Sequence, residues 1–517
     1  MPAFPGQEPR LSSPSYLRPR LLSLGRLCLV AGTLLTLAIT PETVAAPSAG
    51  LIEVTERELR ADLAWLVDRR ILSLPLSTWP LPIFAVQDAL DRVQQADLSD
   101  ADRAALERTR LALERIEAPV SVGASVNSAR HPSLDGQTSA RARSELSFRL
   151  SQFDENKAFS LRVAKQNASL QDANPSLSLD RSYLGVAMAD AMVMFGTPDR
   201  WWGPGVFTSP ILSDAASPIP SLLVRRRSDA APPFALLEWI GPWGYEVSLG
   251  RLLNYTPAGS RTIGLRVFSR PLSGLEIGAS RFITWAGNGR PQGPRALFNA
   301  LAGRSNTDDP IGDPDPGNEL AGLDVRISTP TRTGAWVGYA HVVGEDEADH
   351  LPSRLIGTLG TQYKQAIGEH RIEWSAESTD TELGRLFGLK PAGRRAPAYR
   401  HSTYVEGYFH RGLPIGANIG GGGISVTLGI AWVAPPGHRL DRVSVSATEA
   451  RLNEDGPDPG NAAFGVPSRL RGLSFRVQSA GRVARWHLGL SMQRNSVELR
   501  RELGVVGGVE IPLDSGN

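Results

Sequence analysis

The 517-residue chain has a single cysteine, Cys28, so neither a disulfide framework nor a cysteine-ligated zinc site is open to it. Lysine is nearly absent: of 55 basic residues only Lys157, Lys165, Lys364 and Lys390 are not arginine. A GC-rich coding bias explains that skew at least as well as a need for guanidinium forks. After residue 46 no stretch approaches the roughly 20 consecutive apolar residues of a spanning helix, which excludes a helical membrane protein. Charge of one sign is also lacking, with 55 basic against 53 acidic side chains and a net charge of +2, so bulk charge gives no support for nucleic-acid binding. Gly-x-Ser-x-Gly, His-Glu-x-x-His and phosphate-loop motifs are missing. The eight histidines are scattered, and His401 and His410 are not at a metal-binding spacing for a helix or a strand. No cofactor, no metal and no enzymatic activity are implied. What remains is a chain with 41% apolar and 7% aromatic residues, enough to exclude wholesale disorder.

The amino end reads as an export segment. Arg10, Arg18, Arg20 and Arg26 precede an apolar run of about 14 residues from Leu27 to Thr40, and small residues follow at Val44-Ala45-Ala46. That length suits a signal-peptide core and is too short to span a membrane. Cleavage is expected at or just after Ala45, because Pro47 disfavours a cut after Ala46. The segment carries the whole net charge, so residues 46–517 are close to neutral.

Residues 46–118 read as a bundle of about three helices. Thr55-x-x-Glu58 and Ser99-x-x-Asp102 have the form of capping boxes, each opening a run with apolar residues on one face. Between them Trp79-Pro80-Leu81-Pro82 breaks the helix. From residue 119 the period changes from 3.6 to 2, as in Leu146/Phe148/Leu150, Ile263/Leu265/Val267 and Ile424/Val426/Leu428/Ile430/Trp432. About 18–20 such segments, with Ser, Thr, Gly and Arg on the second face, predict an all-β transmembrane barrel over 119–517, of about 18 antiparallel strands. A large soluble β-protein is the rival architecture. Short turns alternate with long connections such as 284–321 and 379–401, which places the bundle on the periplasmic side and the long loops outside. In this count the 449–469 segment falls on the periplasmic side, against the pattern.

Among candidate binding residues, Pro198-Asp199-Arg200-Trp201-Trp202-Gly203-Pro204-Gly205 stands out. Indole faces stack on sugar rings while Asp and Arg bond hydroxyl or acidic groups. The alternative is a stiff turn whose tryptophans plug the barrel or sit at the membrane interface, and both readings stay open. Parity puts the segment at the periplasmic rim or tucked inside. In Arg225-Arg226-Arg227, alternation sends Arg225 and Arg227 to one face, where their field can attract an acidic polysaccharide or anchor the barrel at the interface. The acids Asp308, Asp309, Asp313, Asp315 and Glu319 lack calcium-loop spacing and read as a solvated loop, as does 345–349.

The segment Phe195-Gly-x-x-Asp199-Arg-Trp-Trp-Gly-Pro-Gly205, with Ile211-Leu212-Ser213 and Pro218-Ile219-Pro220 after it, resembles the capsule-assembly Wzi family. Softer matches are Trp79 to Pro82, Gly241-Pro242-Trp243, Gly287 to Pro291, Gly317 to Asp324 and Tyr399 to Gly416. The resemblance implies an outer-membrane barrel lectin of about 18 strands with a periplasmic helical bundle, holding capsular polysaccharide at a Gram-negative cell surface. The residues expected to touch polysaccharide are Asp199, Arg200, Trp201, Trp202, Arg225, Arg227 and, from the Gly287 to Pro291 match, Arg290. Expected partners are capsular or exopolysaccharide and outer-membrane lipid, with no nucleic acid, and the chain is expected to act as a monomer. An oligosaccharide channel and a secreted polysaccharide-modifying enzyme are the alternative functions.

Overall fold

Period-two alternation builds a wall whose two faces have opposite chemistry. The structure is a computed structural model. It describes residues 48–94, 98–136, 141–167, 176–232, 234–301, 317–345, 347–348, 351–352, 354–383, 386–388, 396–454, 456–458, 464–481, 484–497 and 500–513. All of them fall within the compact unit Pro47–Asn517. The expected export segment lies outside the described residues, as do Asp308, Asp309, Asp313, Asp315, Asp346 and Asp349.

Eighteen strands close into an antiparallel barrel. In chain order they are β1 (Val120–Asn127), β2 (Ser144–Phe153), β3 (Lys157–Asn167), β4 (Tyr183–Met188), β5 (Ala191–Gly196) and β6 (Ser221–Arg226). Next come β7 (Trp243–Arg251), β8 (Arg261–Leu272), β9 (Leu275–Trp285), β10 (Gly317–Pro330), β11 (Gly334–Gly344) and β12 (Leu355–Ile367). The last six are β13 (His370–Asp380), β14 (Gly423–Val433), β15 (Arg442–Leu452), β16 (Ser468–Ala480), β17 (Arg485–Asn495) and β18 (Arg500–Leu513). A two-residue segment, Leu177–Ser178, pairs with β3 beside β4. β18 closes the ring on β1, with Val506 opposite Asn127 and Leu513 opposite Val120.

The outer face exposes Leu488, Leu490 and Met492 of β17, Leu503, Val505 and Val509 of β18, and Val426, Leu428 and Ile430 of β14. The inner face buries Arg266, Glu276, Asp324, Arg326, Lys364, Glu373 and Glu377. This inverts a water-soluble sheet and is what a strand between hydrocarbon and a polar interior requires. Trp336, Tyr363 and Trp374 stack side by side, at 4.4 and 5.6 Å between ring centres, on the part of the outer face nearest the short turns. Among the described residues no helix is long and apolar enough to cross a membrane, so any crossing is by strands.

One end of the barrel carries turns such as 154–156, 273–274, 331–333 and 368–369, and the other carries connections as long as 197–220, 286–316 and 381–422. The 453–467 connection, expected on the short-turn side, joins β15 to β16 on the long-loop side. Between β13 and β14 the described residues of 381–422 contain no barrel strand, only short ladders such as Phe409–His410 with Leu413–Pro414.

Three helices, α1 (Arg57–Asp68), α2 (Ile83–Asp91) and α3 (Asp100–Glu117), precede the barrel. They share an apolar core that includes Leu63, Trp65, Leu66, Trp79, Val86, Leu106 and Leu113. The Ser99 box forms as expected, Asp102 N–H donating to Ser99 Oγ and Ser99 N–H to Asp102 Oδ2. The Thr55 box does not form: α1 starts one residue later, with Glu56 at its N-cap and no side-chain cap, while the Thr55 hydroxyl donates to Glu53 and Arg485 of β17 binds the Glu58 carboxylate. A fourth helix, α4 (Pro294–Leu301), packs Ala296 and Ala300 against Ile263, Ile283 and Trp285.

The bundle is held by the inward charges of the wall. Asp68 pairs with Arg326 and Lys364, each at 2.8 Å. Asp62 takes Arg371 at 2.9 Å and Arg108 at 2.7 Å. Arg485 reaches Glu56 at 2.6 Å and Glu58 at 2.9 Å. Glu276 accepts the N–H groups of Leu76 and Ser77. Burial alone would raise the Asp68 carboxyl, but the two cations hold it at about 2. Charges that would be costly in a dry interior are thus satisfied pair by pair between wall and bundle.

Candidate functional site

Two structures occupy the long-loop half of the barrel. The first is a clasp built from the Asp199 to Gly205 segment. Trp201 and Trp202 form a short ladder with Trp79 and Thr78, so this loop is hydrogen-bonded to the connector of the helical bundle. Both indoles are 0–1% exposed. The Arg60 guanidinium lies 4.6 Å over the Trp201 ring. Trp202 donates its indole N–H to Glu246 at 3.1 Å and meets Phe282 edge to face. Arg200 and Arg225 approach the same Glu246, at 3.8 and 3.7 Å, and Arg225 also bonds the Pro80 carbonyl. Arg227 packs over the Phe84 ring at 4.2 Å, while Arg226 turns the other way onto Trp243, so the triplet alternates as expected.

Asp199 is bound by Arg141 at 2.8 Å and Arg181 at 2.9 Å. Burial would raise its carboxyl, and these two cations overcome that and hold it below the ordinary carboxylate range. Downstream, the Glu377 carboxylate accepts the N–H groups of Val206, Phe207 and Thr208 and the Tyr339 hydroxyl. Gly203 has a φ of +115°, and a β-carbon there would come within 2.4 Å of the His341 ring, so the turn excludes a side chain. Six of the seven residues expected to touch sugar therefore converge, but inside the barrel. Neither indole face is open to a polymer in this arrangement.

The seventh, Arg290, lies elsewhere, in a second structure at the long-loop end. Three loops, 252–260, 286–292 and 398–412, are bonded to one another there. Tyr404 donates its hydroxyl to Ala286 O at 3.2 Å, Asn288 N–H donates to Ala258 O at 2.8 Å, and Val405 N–H donates to Thr256 O. Glu406 accepts the Thr256 N–H at 2.7 Å and its hydroxyl at 2.9 Å. The Tyr255 hydroxyl bonds the Gly407 carbonyl. Below them Tyr399, Tyr408, Phe409, Ile415 and Ile419 form an apolar core with Trp202 and Phe282. Burial holds His410 at about 4; it is neutral, and its ring joins Leu253 N–H to Ser217 O. The surface left outside exposes Asn254, Thr256, Asn288, Gln292 and Ser402 and half-buries Arg290, His401 and Glu406, with Nε and Nη2 of Arg290 lying inside it. Amides, hydroxyls, a guanidinium and a carboxylate on a fixed frame are suited to the hydroxyl and acidic groups of a glycan.

This platform was missed as a site because its polar residues are common types in loops. Its signal is conformational: Asn254, Ala286, Tyr399 and Arg411 all have positive φ without being glycine. Among the described residues no cluster of side chains could hold a metal ion. A cavity of about 290 Å³ lies between the bundle and strands β1–β3 and β16–β18 and is lined by Arg149, Arg162, Arg476, Arg485, Glu145 and Glu510 among others.

A closed eighteen-strand barrel with an apolar exterior, an aromatic rim and a charged, occupied interior is an integral β-barrel of the outer membrane. Comparison with known proteins narrows this further. The model of the family described as capsule assembly protein Wzi matches residues 114–502. A Klebsiella pneumoniae protein, described as an uncharacterized 55.8 kDa protein in the cps region, is 31% identical over 363 residues, 70% of each chain. The solved structure of Escherichia coli Wzi, described as an outer membrane protein involved in group 1 capsule assembly and a carbohydrate-binding β-barrel, superposes with a TM-score of 0.77 at 28% identity. The match covers 90% of this chain and 100% of that one. The chain belongs to the capsule assembly protein Wzi family.

Proposed function

We propose that this chain is a carbohydrate-binding barrel, not an enzyme, that holds capsular or exopolysaccharide at the cell surface and assists its assembly there. One observation carries the reading: the loops at the mouth are bonded into a fixed platform of sugar-compatible groups over a filled lumen. The carbohydrate binding described for the Escherichia coli relative supports it. In this reading residues 1–45 direct export, 46–118 form the periplasmic bundle and 119–517 the barrel. The bundle meets the short turns, which in outer-membrane barrels face the periplasm. One copy suffices, since the platform is built within a single chain. Arg290 touches polymer directly. Asp199, Arg200, Trp201, Trp202, Arg225 and Arg227 act behind it, fixing the loop core on which the platform rests. A repeating polymer makes many weak contacts of this kind add up.

The test is binding of labelled capsular polysaccharide to the full chain, folded in detergent, against an R290A/E406Q variant. Loss of a charge-assisted contact is expected to weaken binding by about tenfold or more. Unchanged binding in a variant that still shows heat-modifiable migration would overturn the assignment of the platform.

A further inference from the structure

The outer face of the barrel carries a row of arginines that the platform does not use. On adjacent strands Glu449 stands directly opposite Arg471, Arg471 opposite Arg494, and Arg494 opposite Arg501. One step nearer the loops, Arg451 stands opposite Arg469. All five arginines are exposed. Alternation puts them on the face that below them shows Leu473 and Phe475, Leu488, Leu490 and Met492, and Leu503 and Val505. Arg471 and Arg469 share Glu449 at 3.3 and 3.4 Å, their side chains still 64% and 57% exposed. Among the described residues Arg451, Arg494 and Arg501 have no acidic partner. Glu502, beside Arg501, points to the other face, where it accepts the His131 N–H.

Directly opposed like charges destabilise a sheet. A lipid-facing arginine in mid-membrane would cost about 2–4 kcal/mol. The row escapes the second cost by its height. Arg494 and Trp486 stand at opposite ends of the outward positions of β17. Eight residues of strand span roughly 27 Å, or roughly 20 Å along the membrane normal once tilt is included. The arginines thus top the apolar belt at the long-loop end, level with the headgroups of the outer leaflet. The first cost remains unless anions lie between the guanidinium groups, and phosphoryl oxygens match the guanidinium fork.

We propose that Arg451, Arg469, Arg471, Arg494 and Arg501 form a binding site for phosphorylated headgroups of outer-leaflet lipid. The site is on the wall and stands independently of polysaccharide binding at the platform. It seats the barrel against anionic lipid on the side formed by β15 to β18.

The experiment uses the full chain in dodecyl maltoside and native mass spectrometry with bis-phosphorylated lipid A as the probe. Wild-type protein is expected to retain bis-phosphorylated lipid A and to bind the dephosphorylated form at least tenfold less. The R471Q/R494Q/R501Q variant is expected to lose the phosphate-dependent part while keeping heat-modifiable migration. Equal retention of both lipids by the wild type would overturn the proposal, and that arm does not depend on any variant folding. So would a folded triple variant that retains bis-phosphorylated lipid A as the wild type does. Labelled capsular polysaccharide provides the last arm: a variant that loses polymer but keeps lipid would assign the row to polysaccharide instead.

Discussion

Trp201 and Trp202 show how far residue type alone carries an assignment. Paired indoles with Asp, Arg and a Gly-Pro-Gly turn are equally good chemistry for stacking on a sugar and for closing a core. The deciding facts are long-range: Trp79 across the ladder, Arg60 over one ring, Glu246 under the other. No local pattern announces those partners. The segment was legible as special, and its interior position was one of the two expected, but its role was not legible. Arg290 was legible only as part of a short glycine-rich match. At this scale the account predicts that Trp202→Ala costs about 3–5 kcal/mol, by cavity formation and loss of the Glu246 bond. The check is the midpoint of thermal unfolding in detergent, expected to fall well below that of the wild type. A Trp202→Ala protein with unchanged stability but lost polysaccharide binding would return the residue to the role of a sugar contact.

At the scale of elements, strands and helices were read from periodicity because each type has one buried stripe. The barrel strands are clearest where Leu, Val and Ile alternate with Ser, Thr or Arg, as in β14 and β15. The connection after β15 was placed on the wrong side by strand parity, since counting strands from periodicity alone carries any single error through the rest of the chain. The capping pattern at Thr55 failed because the helix starts one residue later, at Glu56, and the Thr55 hydroxyl turns back to Glu53. The attachment of the bundle was invisible, since its inward arginines and carboxylates read only as lumen-facing.

That attachment should titrate. Asp68 and Glu56 are both held at about 2, from ordinary values of 3.8 and 4.5. Burial opposes this shift in each, and the arginine and lysine partners overcome it. A carboxyl depressed on folding contributes stability that is present above its unfolded value and lost as pH falls through the folded one. The bundle is therefore expected to stay docked at pH 5 and to loosen between about pH 4 and 2. Protease sensitivity of the α1–α2 connector, or the emission of buried Trp65, would report it. The Asp68→Asn variant should loosen at a higher pH than the wild type. A docking equilibrium unchanged from pH 5 to 2 would contradict the ion-pair account.

For the whole molecule, the long loops and the helical bundle occupy the lumen from opposite ends. A barrel of this strand number can enclose an aqueous channel, so the filling is what separates a binding protein from a pore. In planar bilayers the full chain is expected to show no sustained open level. Steady, ion-conducting steps from the wild-type protein would support the channel reading. In the proposed reading the platform puts polymer binding at the loop end of the barrel, where a surface polymer can reach it. The most direct measurement is the fraction of capsular polysaccharide that remains cell-associated in a strain lacking this chain, complemented with the wild type or with the R290A/E406Q variant. The account predicts that polymer is shed into the medium without the chain, retained with the wild type and shed again with the variant. Equal retention in all three strains would contradict it.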